Sequence, residues 1–159
     1  SFRDEYPDLA GNELRTKALE LAPNCLMFDE FIIREVQKGN IEKSRFTDKE
    51  QSIKLHGHCH QKSLASTGPT KEMLSLPANY VVEEIKSGCC GMAGSFGYEK
   101  EHYTVSMQVG ELVLLPEVRK TSEYTIISAP GTSCRHQIKD GTGRTALHPI
   151  EVLYEALIK

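Results

Sequence analysis

Two adjacent cysteines, Cys89 and Cys90, lie in a run that also holds four glycines: Gly88, Gly91, Gly94 and Gly97. Successive residues of a strand point to opposite faces, so no regular strand aims both thiols at one target. Glycine lifts that limit, because it accepts positive φ and lets the backbone approach a ligand closely. The run therefore predicts an irregular turn that presents two sulfurs together. Plain core burial is the competing account of a cysteine pair.

The other cysteines bear on that choice. Five cysteines among 159 residues are too few for a secreted disulfide scaffold of this size. Without a secretory signal such clusters point to metal or redox chemistry in a reducing compartment. The chain opens on the charged stretch Ser1-Phe-Arg-Asp-Glu-Tyr-Pro, which is no signal peptide and predicts a cytosolic protein. A net charge of -3 with no basic block argues against a nucleic-acid surface. No apolar run approaches the ~18–20 residues that cross a bilayer. Hydrophobic content of 39% suits a single domain over residues 1–159.

Hydrophobic spacing predicts strands alternating with helices. A helix over Glu13 to Leu21, capped by Asn12, carries Leu14, Ala18, Leu19 and Leu21 on one face. Pro23-Asn24 breaks it. A second, over Phe28 to Gln37, has Phe28, Phe31, Ile32 and Val36 at helical spacing and stops at Gly39. Cys25, in the break between them, reads as structural. After a polar loop, Ile53 to His60 reads as a strand running into a turn and then a helix. If the strand persists that far, alternation puts His56, His58 and His60 on one side and Cys59 on the other. Thr67-Gly-Pro-Thr70 ends that helix, and Thr70 caps a further turn through Leu76. Tyr80 to Ile85 is a β-branched strand that ends at the paired cysteines. Glu101 to Leu115 reads as an amphipathic helix with Val105, Val109, Leu112 and Leu115 inward and Gly110 as an interior weakness. A strand over Tyr124 to Ser128 leads through Ala129-Pro-Gly into a helix capped by Thr132 or Ser133. Pro149 to Ile158 closes the chain as a helix with Ile150, Leu153, Leu157 and Ile158 inward; His148 before it reads as a packing or capping residue.

This alternation predicts an α/β fold: three Rossmann-like layers, a parallel sheet flanked by helices. Cys59, the Cys89/Cys90 pair and Cys134 would each lie just past the carboxyl end of a strand, the edge where such folds bind ligands. Cys59 and Cys134 would also open helices, whose N-terminal dipole favours thiolate. Four thiolates are the usual holders of an iron–sulfur cluster or of structural zinc. Structural zinc favours close-spaced pairs, whereas 29 residues separate Cys59 from Cys89 and 43 separate Cys90 from Cys134. No C-x-x-C spacing occurs around His56, His58 and His60, and the H-x₃-H spacing of His56 and His60 stands without the close-spaced cysteine pair of a zinc motif. These histidines read as loop-packing or supporting groups rather than ligands.

The motifs Cys89-Cys-Gly-Met-Ala-Gly-Ser-Phe-Gly97 and Gly131-Thr-Ser-Cys-Arg-His-Gln-Ile138 resemble the cysteine-rich CCG domain. So do Arg3-Asp-Glu-Tyr-Pro-Asp-Leu9, His56-Gly-His-Cys-His-Gln-Lys62 and the closing His148-Pro-Ile150, so the likeness covers nearly the whole chain. The domain occurs in the heterodisulfide reductase B subunit, the glycolate oxidase iron–sulfur subunit and anaerobic glycerol-3-phosphate dehydrogenase. It also closes fused FAD-linked oxidase/iron–sulfur proteins of the D-lactate and D-2-hydroxyglutarate dehydrogenase type, which this chain resembles most.

The resemblance implies an electron-transfer module, not catalytic alone, cut from the C-terminal part of a flavin-dependent 2-hydroxy-acid oxidoreductase. Cys59, Cys89, Cys90 and Cys134 would hold an iron–sulfur cluster of 4Fe-4S type. FAD and ferredoxin-type clusters would lie in upstream domains of the same polypeptide. Electrons would leave to a quinone or other acceptor, in the cytoplasm or at the inner face of the membrane. The chain departs from the family at one ligand, because the family pattern ends in C-x-x-C and here Arg135-His136-Gln137 follow Cys134. It also starts after a strand that its relatives carry. A structural zinc site and a thiol module that docks a partner, or forms a vicinal disulfide, are the alternatives.

Overall fold

The computed structural model describes residues 1–64 and 66–159. They fall into two compact units, Ser1–Glu42 and Lys43–Lys159. In the first, helices α1 (Tyr6–Leu9), α2 (Gly11–Leu21) and α3 (Phe28–Gln37) follow one another. The α3 boundaries are those expected. The cap of α2 is not, because Ala10 takes the N-cap position and Asn12 lies inside the helix. On α3 the buried apolar residue is Ile33, while Phe28 and Phe31 stay exposed. Glu30 closes a capping box on Met27 N and takes a two-pronged hydrogen bond from Arg3 Nη1, at 2.6 and 2.9 Å. Burial alone would raise the Glu30 carboxyl; Arg3 and Met27 N–H outweigh it and hold it below the ordinary carboxylate range.

The second unit is built on the strand β1 (Gln51–Leu55). Helices α4 (Cys59–Leu64) and α5 (Gly68–Leu74) lead to strand β2 (Tyr80–Glu84). Helices α6 (Tyr103–Glu111) and α7 (Leu114–Lys120) lead to strand β3 (Ile126–Ser128), followed by α8 (Thr132–Thr142) and α9 (Pro149–Glu155). Among the described residues the sheet is three-stranded and parallel, in the order β2-β1-β3. Leu147 adds a parallel bridge beyond β3 at Ser128.

Alternation on the strands divides the core between two faces. Ile53 and Leu55 on β1 join Val82, Ile126, Leu74 of α5 and Val152 of α9. Ile127 points the other way and joins Leu114 and Val118 of α7 with Cys134 and Ile138 of α8. Helices thus cover both sides of a parallel sheet, as the sequence predicts.

Several local expectations are overturned. β1 stops at Leu55, so the alternation assigned to His56, His58 and His60 does not exist: His56 and His58 lie in the connection and His60 on α4. Thr67, not Thr70, precedes α5, and Thr70 is buried within it. The passage of the preceding helix through Ala65 lies outside the described residues. The long helix expected over 101–115 is two, broken where Val113 leaves helical geometry at φ -146°. Its inward face is Ser106 and Gly110, while Val105 and Leu112 are exposed. A side chain at Gly110 would press within 3.1 Å of the Cys90 carbonyl oxygen, so this glycine permits close packing over the cysteine turn. His148 does cap α9, its Nδ1 accepting from Ile150 N at 3.2 Å.

These faces predict a contrast between close neighbours. Leu114→Ala, at a site 1% exposed, should cost ~2–5 kcal/mol by denaturant unfolding. Leu112→Ala, at a site 76% exposed, should stay within about 0.5 kcal/mol. Equal costs would restore the periodic face read from sequence.

Candidate metal centre

Parallel pairing sends three strands out of the sheet at the same edge. The Leu55 carbonyl accepts from Ile85 N, and His56 N donates to the Ser128 carbonyl, both at 2.8 Å. His56 therefore stands at the end of the middle strand, locked to both neighbours. Cys59 opens α4, the Cys89/Cys90 turn follows β2, and Cys134 lies in the first turn of α8 after β3.

The turn after β2 is irregular. Gly91 has φ +98°, Ala93 +41° and Gly94 +72°. A side chain at Gly91 would also collide with the Ser106 carbonyl oxygen, so both conformation and space require glycine. Gly91 N donates to Cys89 Sγ at 3.3 Å. Of the four glycines, Gly88 shows neither strain nor close approach.

Cys90 and Cys134 are buried, at 3% and 0% exposure, and Cys134 Sγ donates to Cys90 Sγ across 3.2 Å. That hydrogen bond favours the Cys90 thiolate most strongly; burial opposes it, while His56 and the Met92 N–H add to it. The Cys90 thiol is held well below its ordinary range. Cys134 is pushed far up, by donating to Cys90, by burial, and by the charges of Cys90, Cys59 and Cys89. Cys59 is exposed and is also raised, by burial, then by Cys89 through charge and a hydrogen bond, then by Cys90. Cys59 and Cys134 thus both feel neighbouring sulfurs. In place of the helix-start depression expected at both, Cys59 is raised first by desolvation and Cys134 first by its hydrogen bond to Cys90.

His56 is the histidine that the folded edge singles out. It is 0% exposed, and its Nδ1 lies 2.7 Å from Ser87 Oγ. Nε2 is buried without a hydrogen-bond partner. A ring nitrogen of His56 and the sulfurs of Cys90 and Cys134 lie within 4.8 Å of one another, a set able to hold a metal ion. Donors of a tetrahedral metal stand ~3.5–4 Å apart, as Zn–S ~2.3 Å and Zn–N ~2.0–2.1 Å dictate. The donor set therefore fits a metal after small side-chain shifts. The available signal was position: His56 directly follows the last residue of a strand.

The other histidines serve locally. His60 is exposed. His58 is half-buried and burial lowers its pKa. His136 Nδ1 pairs with Tyr98 Oη at 2.7 Å. Gln137 is buried, its Nε2 donating to Ser106 O at 2.9 Å and Oγ at 3.0 Å. Cys25 belongs to the first unit. Arg135 Nη1 donates to the Ala129 and Pro130 carbonyls at 2.9 Å, clamping the turn before α8.

A thiol-rich edge on a parallel α/β sheet defines a candidate metal or redox centre, and comparison with known proteins agrees in kind. The chain is 27% identical over 157 residues to D-2-hydroxyglutarate dehydrogenase of Pantoea ananatis, covering 98% of this chain and 14% of that protein. It is 27% identical over 159 residues to one of the polypeptides of the anaerobic glycerol-3-phosphate dehydrogenase of Escherichia coli K12, covering 99% and 38%. It is 28% identical over 158 residues to the D-2-hydroxyglutarate dehydrogenase of the same strain, covering 98% and 14%. The chain thus spans 14% to 38% of the length of these relatives, and it resembles one part of larger oxidoreductases. No family model matches it. No solved structure matches it. No helix among the described residues is long and apolar enough to cross a membrane.

The shared proton sets a pH dependence. Near neutral pH the unfolded pair binds two protons and the native pair one, because Cys90 is depressed. Stability then rises with pH up to the ordinary thiol value of about 8.5. Above it the unfolded pair binds none while Cys134 keeps its proton, and stability falls. Reduced, metal-free protein should show this maximum in unfolding free energy relative to the Cys90→Ala/Cys134→Ala double variant. A difference that does not vary with pH would contradict the shared proton. Gly91→Ala should cost more than about 1 kcal/mol in the same assay.

Proposed function

We propose that Cys59, Cys89, Cys90 and Cys134 hold an iron–sulfur cluster in a CCG-type domain, residues 1–159. The domain would serve a flavin-dependent 2-hydroxy-acid oxidoreductase as an electron relay. The observation that carries the reading is the placement of Cys59, the Cys89/Cys90 turn and Cys134 after the ends of three parallel strands, with Cys90 and Cys134 3.2 Å apart. Likeness to parts of D-2-hydroxyglutarate and glycerol-3-phosphate dehydrogenases supports the setting.

In this reading each residue has a task. Cys90 offers a sulfur that needs no base to lose its proton. Cys134, Cys89 and Cys59 give up theirs on binding, so loading releases protons. Gly91 N–H and Met92 N–H favour negative charge on the turn's sulfurs. Ser106, Gly110 and Gln137 keep α6 and α8 packed over the turn and exclude water from Cys90 and Cys134. A bound cluster supplies one-electron chemistry, at a potential that depends on its ligands and burial. FAD and ferredoxin-type clusters would occupy other domains of the same polypeptide, with a quinone or similar acceptor beyond, in the cytoplasm or at the membrane's inner face.

A second reading has its own observation. Cys90 and Cys134, 3.2 Å apart, are close enough to become two ligands on one metal ion after a small outward shift, which suits structural zinc.

Metal analysis separates the two. Anaerobically prepared enzyme should contain iron and acid-labile sulfide assigned to this domain, and Cys90→Ser should lose them. In the intact enzyme Cys90→Ser should leave flavin reduction by substrate nearly unchanged and slow reoxidation by the acceptor. Zinc in place of iron, with a collapsed Tm and both half-reactions unaltered per folded molecule, would establish the staple instead.

A further inference from the structure

His56 has no role in the four-cysteine reading, and its surroundings ask for one. An imidazole that is 0% exposed, with a buried nitrogen lacking a partner, carries a desolvation cost with no return in the apo fold. His56 Nδ1 and Ser87 Oγ stand 2.7 Å apart, and Ser87 Oγ lies 3.5 Å from the Ile85 carbonyl. The tautomer in which His56 Nδ1–H donates to Ser87 leaves the Ser87 hydroxyl facing that carbonyl. With the proton on Nδ1, Nε2 carries a bare lone pair. One nitrogen of that buried ring lies within 4.8 Å of the sulfurs of both Cys90 and Cys134. A cation placed among these donors takes up the lone pair. An N–H given to a neighbouring oxygen, with the other nitrogen left bare, is also how metal-ligating histidines are held.

We propose that His56 Nε2 is a ligand of the metal held here, on the same ion as Cys90 and Cys134, and that Ser87 is the residue that orients it. The assignment rests on the metal-site reading above. It extends it by replacing an all-sulfur donor set with a mixed one on one metal ion. Position supports it independently of residue type: His56 ends the middle strand and is bonded through its own N–H to Ser128. The loops from the two outer strands must cross over it before their sulfurs can meet. Cys90 and Cys134, 3.2 Å apart, need only a small shift to become co-ligands on one ion, and a ring nitrogen lies within 4.8 Å of both sulfurs. If the metal belongs to an iron–sulfur cluster, nitrogen for sulfur on one iron raises its potential, as imidazole does in Rieske centres.

The test uses the 159-residue protein, reduced and metal-free under anaerobic conditions, titrated with Co²⁺ and Zn²⁺. Wild type should bind Co²⁺ with a spectrum of mixed sulfur and nitrogen ligation. In Zn²⁺-loaded, ¹⁵N-histidine-labelled protein, NMR should show one imidazole metallated at Nε2 and protonated at Nδ1. His56→Ala should lose affinity by at least roughly 10–100-fold, and Ser87→Ala by roughly 10–100-fold. Cys25→Ala should match wild type. Melting of each metal-free variant checks that the fold survives, and Ser87→Ala keeps the test decisive if His56→Ala unfolds. Wild type that binds metal while both variants match it, with no metallated imidazole in the NMR spectrum, overturns the His56 assignment alone. Wild type that binds neither Co²⁺ nor Zn²⁺, nor iron with sulfide on reconstitution, overturns the metal reading and the role of His56 with it.

Discussion

The hydrogen bond from Cys134 to Cys90 depends on the whole of the second unit. The two residues follow strands that are not neighbours: β2 and β3 lie on either side of β1. Strand spacing of ~4.7–4.9 Å puts their ends about 10 Å apart. A 3.2 Å sulfur–sulfur contact therefore requires both loops to fold inward over the end of β1. That inward fold explains the rest of the edge. It buries His56, which stands at that end, and needs Gly91 where the chain turns against Ser106. It also needs a small residue at position 110, so that α6 can lie against the Cys90 carbonyl.

Burying thiols together sets the electrostatics. Charge on one sulfur opposes charge on the others, so the edge divides into a depressed Cys90 and raised Cys134 and Cys59. A helix N-terminus contributes a partial charge only; a sulfur neighbour within hydrogen-bond distance contributes more. The resulting set is poorly satisfied alone. It holds two buried sulfurs and a histidine nitrogen without a hydrogen-bond partner in one dry place. Such a site gains from a cation that takes up several lone pairs at once. The protein's own fold thus argues for a metal, independently of the relatives it resembles.

Much of this was determined by the sequence alone. Alternating apolar periods set the α/β class and the parallel sheet, because each strand–helix–strand unit has few ways to bury its faces. Phe28–Gln37 as a helix and His148 as a cap follow from local pattern. The glycine-flanked pair at 89 and 90 announced an irregular turn. What the tertiary structure decided was everything set by packing between elements. Leu112 reads as inward by period yet is exposed, because α6 turns its small residues Ser106 and Gly110 toward the cysteine turn. Cys134 reads as an activated thiol by position yet is pushed up, because Cys90 is its neighbour in space and 44 residues away in the chain. His56 reads as one of three loop histidines; only the folded sheet, with β1 in its middle, separates it from His58 and His60 and buries it beside two sulfurs. Sequence period reports the faces of one element at a time, whereas a donor set is a property of three strand ends brought to one place.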